Sequence, residues 1–385
     1  MRLLFVSHSS PAKEGGAETR TREVTVRLAR AGHQVTVLCG RTHVDDPAEL
    51  DFEGVRILTR KTLPDALLRR FPYPHYLSLA AANLFLMLHL AAFLRRERFD
   101  LLREDIAPFP PTFLLALVRL PVRSRIAVTH MLPGSLRGWI RYYGALFGPA
   151  GYLMDRLLRA GILRYDRIVC DSNWFAEELR RSPAIAHKVR YLPNGVEFAA
   201  FSTGDARAAG DGEVRLLCVG RLAETKGHRY AIEAVARLKD LHPRLRLDIV
   251  GSGALRGELV ELARRLGVSP RIAILPPVAH REMPALYRRY DFFVLPSLWE
   301  GQPVSLIEAM ASGLPIVATD IPAISAMLDE RSATLAARES ASDLAERLDW
   351  AIRNRDTVLR RAEAAREKAR EYDWASTARQ EIEGA

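Results

Sequence analysis

The chain of 385 residues is long enough for two domains, and its 48% hydrophobic and 26% charged residues are ordinary for a globular protein. Its 56 basic and 46 acidic residues leave a net charge of +10, which suits anionic small molecules or an anionic membrane surface. The arginines are scattered over predicted helices and form no nucleic-acid-binding motif, so we expect no nucleic acid partner.

Signals for export and membrane insertion are weak. The first seven residues turn polar too soon for a signal peptide. Residues 77–94 are almost wholly apolar and near the lower length limit for a membrane span, but we expect a buried helix of a large domain there. Cys39, Cys170 and Cys218 lack metal-ligand or redox spacing, which favours core positions in a reducing compartment. We therefore predict a cytoplasmic protein, with peripheral membrane contact left open.

The first half of the chain alternates short apolar runs with helical patterns, which predicts a parallel, doubly wound α/β sheet. Gly15 and Gly16 separate the first strand from its helix, where backbone N–H groups can approach an anion closely; a plain turn is an equal alternative. His130 ends a strand at the ligand edge of such a sheet, although a lone histidine is more often a surface or core residue. Strands are expected at 3–6, 34–39, 55–58, 100–102, 125–130, 167–170 and 189–192.

Residues 137–164 interleave aromatic side chains with arginines. This composition suits a helix that lies at a membrane interface, buried to the lipid headgroups. An ordinary domain helix that packs its apolar stripe inward is the favoured interpretation.

A second sheet is predicted from residue 214 onward, with strands at 214–219, 245–250, 272–275, 291–295 and 316–318. Gly220 and Arg221 follow its first strand, and Lys226 precedes a helix predicted over 228–241. One arginine and one lysine at such a turn form a cationic pocket for a pyrophosphate. Surface cations are the less favoured alternative, because a cation opposes the dipole at a helix start.

The segment 296–315 contains two glutamates, Glu300 in a loop and Glu308 in a short helix predicted to start at Pro303. The N–H groups of that helix offer a seat for a phosphate, and the carboxylates could accept hydrogen bonds from hydroxyls beside it. A phosphate flanked by hydroxyls describes a nucleotide-sugar. Taken singly, each glutamate is better explained as a solvated surface residue.

Together these motifs resemble family 4 glycosyltransferases, which are retaining enzymes of the GT-B fold. The resemblance rests on Gly15-Gly16-Ala17-Glu18, on Gly220-Arg221-Leu222 followed by Lys226-Gly227, and on the glutamates of 300–315. It implies an α/β protein with two Rossmann-like, doubly wound parallel-sheet domains that face each other across a cleft. The acceptor-side domain is expected at 1–195 with a crossover at 366–385, the linker at 196–213 and the nucleotide-sugar domain at 214–365.

The resemblance also implies roles for single residues. Catalytic roles fall to His130 against the transferred sugar, Glu300 holding that sugar, and Arg221 and Lys226 on the diphosphate. The donor-binding residues are Gly15, Gly16, Gly220, Arg221, Lys226, Gly301, Gln302, Pro303, Val304 and Glu308, the last on the ribose. The chain departs from the family pattern at Pro277, Ser252 and 321–326, which weakens the expectation of donor contacts near Pro322.

The predicted activity is transfer of a sugar from a UDP- or GDP-sugar to a glycan or lipid-linked acceptor, with retention of configuration. No Asp-x-Asp pair occurs in the sequence, so we expect no metal and no cofactor beyond the donor. A nucleotide-sugar epimerase of the same architecture is one alternative. An inert sugar-nucleotide-binding module is another, against which the intact Arg221, Lys226, Glu300 and Glu308 argue.

Overall fold

The computed structural model describes residues 1–7, 10–13, 15–41, 45–60, 89–90, 92–106, 121–129, 149, 165–203 and 212–384. The chain divides into two compact units, one of Met1–Pro193 with Ala375–Ala385 and one of Asn194–Trp374. Each unit is built on its own sheet, of eight strands in the first and six in the second.

The sheet of the first unit has the strand order β3-β4-β2-β1-β5-β6-β7-β8 and is parallel except for β3, which runs antiparallel to β4. Its order reverses direction between β1 and β5, so the crevice of this unit lies above those two strands. The strands are β1 (Arg2–Ser7), β2 (Gln34–Gly40), β3 (Glu49–Phe52), β4 (Val55–Arg60), β5 (Phe99–Ile106), β6 (Val122–Thr129), β7 (Arg167–Cys170) and β8 (Val189–Tyr191).

Helices α1 (Gly16–Arg30) and α2 (Asn173–Arg180) follow β1 and β7 in the first unit. Strand β3 was not predicted, because the sequence Glu-Leu-Asp-Phe has no continuous apolar run and its side chains alternate between exposed and half-buried. The other strands of this unit lie where the apolar runs predicted them, since strands buried on both faces of a parallel sheet are almost continuously apolar.

The last helix of the chain, which we label α11 (Trp374–Ile382), is held in the first unit by a buried charge network. Glu381 is fully buried and accepts hydrogen bonds from Arg20 at 3.0 Å and from Arg103 at 2.8 Å. Arg103 also pairs with Asp105 at 2.6 Å. Each buried charge therefore has a partner of opposite sign, which is the condition under which buried charges are tolerated.

The sheet of the second unit is wholly parallel and has the order β11-β10-β9-β12-β13-β14. Its order reverses between β9 and β12, the strands that precede the two motifs singled out in the sequence. The strands are β9 (Val214–Val219), β10 (Leu245–Val250), β11 (Ile272–Leu275), β12 (Phe292–Leu295), β13 (Ile316–Thr319) and β14 (Thr334–Ala336).

Helices cover both faces of this second sheet and bury two apolar clusters against it. The described helices are α3 (Phe198–Ser202), α4 (His228–Leu238), α5 (Arg256–Arg265), α6 (Met283–Tyr287), α7 (Val304–Ala311), α8 (Pro322–Ser325), α9 (Ala341–Arg353) and α10 (Arg355–Ala369).

Three helix boundaries in the second unit differ from those predicted. Helix α7 begins at Val304 rather than Pro303, because the backbone of Pro303 is extended with ψ 113°. Glu308 therefore lies about one turn into the helix, whereas a start at Pro303 predicts about one and a half turns. Helix α4 ends at Leu238, three residues before the predicted end. The amphipathic pattern of residues 344–369 predicts a helical region, which the structure divides into two helices at Asn354, whose ψ of 48° is not helical.

Several predictions concern residues outside the described ranges: the apolar segment 77–88, the end of a strand at His130, and residues 137–164 apart from Pro149. Of the helices in the described part of the chain, none combines the length and the hydropathy that crossing a bilayer requires.

Candidate active site

Two loops meet above the point where the second sheet reverses its strand order. One follows β9 and runs from Gly220 to Gly227; the other follows β12 and runs from Pro296 to Pro303. The backbone N–H of Leu298 donates to the carbonyl of Thr225 at 2.8 Å, which ties the two loops together. Ligands of open α/β sheets bind in the crevice at this position.

Gly227 makes the close approach of the two loops possible. It has a φ of +61°, and a Cβ at this position would lie 2.0 Å from the carbonyl oxygen of Pro296. Any other residue would meet both a strained backbone conformation and a steric overlap with the neighbouring loop.

The loops bring Lys226 and Glu300 into direct contact. The Lys226 ammonium donates to both carboxylate oxygens of Glu300, at 2.6 and 2.7 Å, although the two residues are 74 positions apart. Ser297 donates to the same carboxylate at 2.6 Å, and Thr319 donates to the carbonyl of Ser297 at 2.6 Å. Glu300 is only 6% exposed, so its interpretation as a solvated surface residue is wrong.

Glu308 lies on α7 and is only 4% exposed, so it is not a solvated surface residue either. The Tyr287 hydroxyl donates to Glu308 Oε2 at 2.9 Å, and His280 Nδ1 lies 3.6 Å from Oε1. Burial, and then the negative charge of Glu308, raise the pKa of Tyr287 well above its usual value. Tyr287 therefore remains a hydrogen-bond donor throughout the physiological pH range.

The N-terminus of α7 faces the same loop system. No described side chain caps this helix end, and its first turn contains no acidic residue. The positive end of the helix dipole is therefore not neutralised by a neighbouring carboxylate of its own first turn. An anion placed beside Val304 would meet a favourable electrostatic field.

Gln302, predicted to bind the donor, is engaged with a neighbouring residue. Its side-chain carbonyl accepts the backbone N–H of Asn194, and its backbone carbonyl accepts the Asn194 side-chain amide at 3.0 Å. Both residues are buried. This reciprocal pair holds the loop before α7 in place, which is a positioning role that the sequence did not reveal.

The side chain of His228 contacts the backbone of the loop that follows β9. Its Nε2 lies 3.2 Å from the backbone carbonyl of Arg221, while the Arg221 side chain itself is exposed. Burial lowers the pKa of His228 to about 4, so the imidazole is neutral at pH 7. A hydrogen bond to the Arg221 carbonyl then requires the proton on Nε2.

In the first unit, α1 begins at Gly16, directly after the turn at Gly15. The Glu18 carboxylate lies at this helix end, where a Cβ on Gly15 would come within 2.2 Å of Glu18 Oε2. A carboxylate at a helix N-terminus is electrostatically favoured there. A phosphate would have to share this position with it, which the Gly-Gly motif alone did not indicate.

The structure thus places all the donor-site residues predicted in the second unit in two adjoining loops and one helix. These are Gly220, Arg221, Lys226, Glu300, Gly301, Gln302, Pro303, Val304 and Glu308. Gly15 and Gly16 lie in the other unit, and His130 lies outside the described residues. The sequence did not indicate a site role for Ser297, Thr319, Tyr287, His280, His228 or Asn194.

Little in the sequence could have identified these missed residues. Ser297 follows the apolar run of β12 by two positions, which placed it at the ligand edge of the sheet. Tyr287 lies in a short helix with no pattern that distinguishes it from a core tyrosine. Within the described ranges, no three His, Cys, Asp or Glu side chains cluster in a way that could hold a metal ion.

Comparison with known proteins adds independent information. Residues 14–200 match the family model described as Glycosyltransferase Family 4, and residues 205–371 match the one described as Glycosyl transferases group 1. The chain is 28% identical over 397 residues to the glycogen synthase of Mycobacterium tuberculosis, an alignment that covers 98% of this chain and 92% of that protein.

Solved structures of the same architecture cover almost the whole chain. Sucrose-phosphate synthase from Thermosynechococcus elongatus aligns with a TM-score of 0.83 at 19% identity, covering 98% of this chain and 96% of the other. The Anabaena protein HepE in complex with UDP-glucose aligns with a TM-score of 0.71 at 17% identity, covering 100% and 98%. At these identities the similarity shows a shared fold.

Proposed function

Because the chain belongs to the family 4, or group 1, glycosyltransferases, has the GT-B fold and uses a nucleotide-sugar donor, we propose that it transfers the sugar of a UDP- or GDP-sugar. The acceptor is a glycan or a lipid-linked saccharide, and the product keeps the anomeric configuration of the donor. HepE, which was solved with UDP-glucose, supports a UDP-sugar as the donor. Starch synthase IV of Arabidopsis thaliana was solved with ADP, so ADP is included as a competing base in the screen below.

The observation that carries the proposal is the contact between Lys226 and Glu300 beside the start of α7, which no side chain of the described residues caps. An ammonium has three N–H donors, and the contact with one carboxylate leaves at least one of them for a second anion. Lys226 can therefore bind the donor diphosphate while it keeps Glu300 in place. Arg221, on the adjoining loop, adds a second cation with a planar set of donors.

These groups suit a reaction in which the diphosphate departs from the sugar. The bond between the sugar C1 and the diphosphate oxygen breaks, and negative charge accumulates on the diphosphate. Lys226, Arg221 and the N–H groups at Val304 would stabilise that charge as it develops. Lys226 is already held in position by its contact with Glu300. Glu300 accepts a hydrogen bond from a hydroxyl of the transferred sugar, and Glu308 binds the ribose.

We propose that substitution occurs on the face from which the diphosphate leaves. The acceptor oxygen forms a new bond to C1, and its proton passes to the departing phosphate oxygen, so atoms and charge balance without a protein nucleophile. His130, Gly15 and Gly16 would act on the sugar and the acceptor from residues 1–195 with the crossover 366–385. Residues 214–365 would bind the donor, joined through the linker 196–213.

We also propose that the reaction requires no metal, because the two cations and the helix end supply the positive charge. Transfer should then persist in an excess of EDTA. The three cysteines are buried as free thiols, which suits the reducing environment of the cytoplasm. The net charge of +10 would favour a peripheral position at an anionic membrane surface, where a lipid-linked acceptor would lie.

The first experiment is a thermal-shift screen with UDP, GDP and ADP. A ligand stabilises the state that it binds, so the correct base should give the largest rise in Tm. The matching nucleotide-sugars are then incubated with and without a glycan acceptor. A transferase releases the nucleoside diphosphate and extends the acceptor, whereas a new nucleotide-sugar formed without an acceptor would indicate an epimerase.

Substitutions connect the activity to the site. Lys226→Ala and Glu308→Ala should each abolish transfer while the circular dichroism spectrum stays that of a folded protein. Lys239→Ala is the matched control, because Lys239 lies at the far end of α4 from the site. Normal turnover in either site variant would contradict the proposal.

A further inference from the structure

We propose that Tyr287 is a positioning residue that fixes the Glu308 carboxylate for the ribose of the donor, and so makes the enzyme prefer ribonucleotides to 2′-deoxyribonucleotides. This inference rests on the proposed function, in which Glu308 binds the ribose. It adds a residue that does not itself touch the substrate and that no sequence motif indicated.

The hydrogen bond between the two side chains carries the argument. Tyr287 ends α6, and its hydroxyl lies 2.9 Å from Glu308 Oε2 and 3.0 Å from the backbone carbonyl of Ser305. The hydroxyl has only one proton, so the two acceptors compete for it. The carboxylate is charged and forms the stronger hydrogen bond, so we infer that the Tyr287 hydroxyl donates its proton in a hydrogen bond to Glu308.

Packing contacts hold the Tyr287 ring in one orientation and so fix the position of its hydroxyl. The side chain is fully buried, and its ring packs edge-on against Phe201 with centroids 5.9 Å apart. It also contacts the tilted ring of Phe293, with centroids 5.8 Å apart. An aromatic ring in such contacts cannot turn without opening a cavity. The hydroxyl therefore fixes Oε2 of Glu308, a side chain that is itself 4% exposed.

The consequence is a carboxylate whose orientation is set before the donor binds. Oε2 is engaged by Tyr287, and Oε1 is directed towards the side on which His280 lies. A ribose offers two neighbouring hydroxyl donors, and a fixed carboxylate can accept from both without losing conformational freedom on binding. A deoxyribose lacks one of these donors, so its complex has one hydrogen bond to the carboxylate fewer.

The test compares each of UDP, GDP and ADP with its 2′-deoxy counterpart by equilibrium titration. We expect the natural protein to bind the preferred ribonucleotide roughly tenfold or more tightly than the deoxynucleotide, the effect of one hydrogen bond to a charged group. Tyr287→Phe should weaken binding of the ribonucleotide and leave the deoxynucleotide nearly unchanged, so that the preference falls to about threefold or less.

The matched control is Tyr290→Phe. Tyr290 is also buried, lies three residues further on, and donates to Asp248 at 2.7 Å, away from Glu308. Removing the Tyr290 hydroxyl deletes a similar hydrogen bond to a carboxylate but should leave the preference for ribonucleotides intact. Should Tyr287→Phe not fold, Phe201→Leu keeps the hydroxyl while it loosens the ring, and a partial loss of preference is expected.

The possible results separate the inference from its premise. Equal weakening of both nucleotides by Tyr287→Phe, with the preference retained, would overturn the role of Tyr287 and leave that of Glu308 standing. Retention of the preference in Glu308→Gln, or no preference in the natural protein, would overturn the assignment of Glu308 to the ribose and with it this inference.

Discussion

The contact between Lys226 and Glu300 allows stability and activity to be separated by two substitutions. Lys226→Met removes the ammonium but keeps an unbranched apolar stem of similar length. Glu300 would then stay buried and keep the hydrogen bond that Ser297 donates. Adding Glu300→Gln removes the uncompensated charge and keeps an amide that can still bond to Ser297.

The expected magnitudes follow from burial. Breaking a fully buried ion pair by removing one partner costs about 3–5 kcal/mol. Lys226 keeps 18% of its side chain exposed and Ser297 still binds Glu300, so we expect Lys226→Met to lose about 2–3 kcal/mol. The double variant should return to within about 1 kcal/mol of the natural protein, since no charge is left unpaired.

Activity should behave differently. Both the single and the double variant lack the cation that stabilises the departing diphosphate, so both should lose roughly 10²–10³-fold in kcat. Urea unfolding at pH 7 measures stability, and release of nucleoside diphosphate measures turnover. Recovery of activity in the double variant would refute the catalytic role of Lys226, and unchanged stability in Lys226→Met would refute the energetic importance of the pair.

Three further predictions test other parts of the structure. Glu381→Ala should lower the free energy of unfolding by at least about 3 kcal/mol in urea, because it leaves the buried Arg20 and Arg103 without that carboxylate; a loss below about 1 kcal/mol would contradict the network. His228 has a folded pKa of about 4 and an unfolded one near 6.5, so its stabilising contribution is complete above pH 6.5 and is lost as the pH falls towards 4. The natural protein should therefore lose about 2 kcal/mol more than His228→Gln between pH 7 and pH 5, and parallel pH profiles would contradict this. Gly227→Ala should separate the two site loops and remove the thermal shift given by a nucleoside diphosphate; a full shift in that variant would show that the close contact with Pro296 is dispensable.

Most strands were predictable because both sheets are parallel apart from β3, and their central strands are buried on both faces. Runs such as Phe-Phe-Val-Leu in β12 are apolar at every position, which no exposed segment would be. Strand β3 escaped prediction because it is polar and its pairing partner, β4, alone makes it a strand. Strand β14 was not predicted either, because three residues are too few to show a periodic pattern. Asn354 was missed as a helix break because nothing local distinguishes it from a polar residue on a helix surface.

The donor-site residues were predictable as separate motifs, but their contacts were not. The pairing of Lys226 with Glu300 depends on β9 and β12 being neighbours in the sheet, an arrangement that strand order in the sequence does not reveal. The same holds for Tyr287 and Glu308, which meet because α6 and α7 pack on the same sheet. Local patterns indicate which residues face an edge, whereas topology decides which of them meet.

Hydrogen exchange with and without the nucleoside diphosphate that gives the largest thermal shift is the most direct measurement of the central claim. Amides at 220–228 and 298–308 should become protected on binding, because both loops and the start of α7 surround the diphosphate. Protection elsewhere with none in these two segments, or no thermal shift with any nucleoside diphosphate, would contradict the donor site.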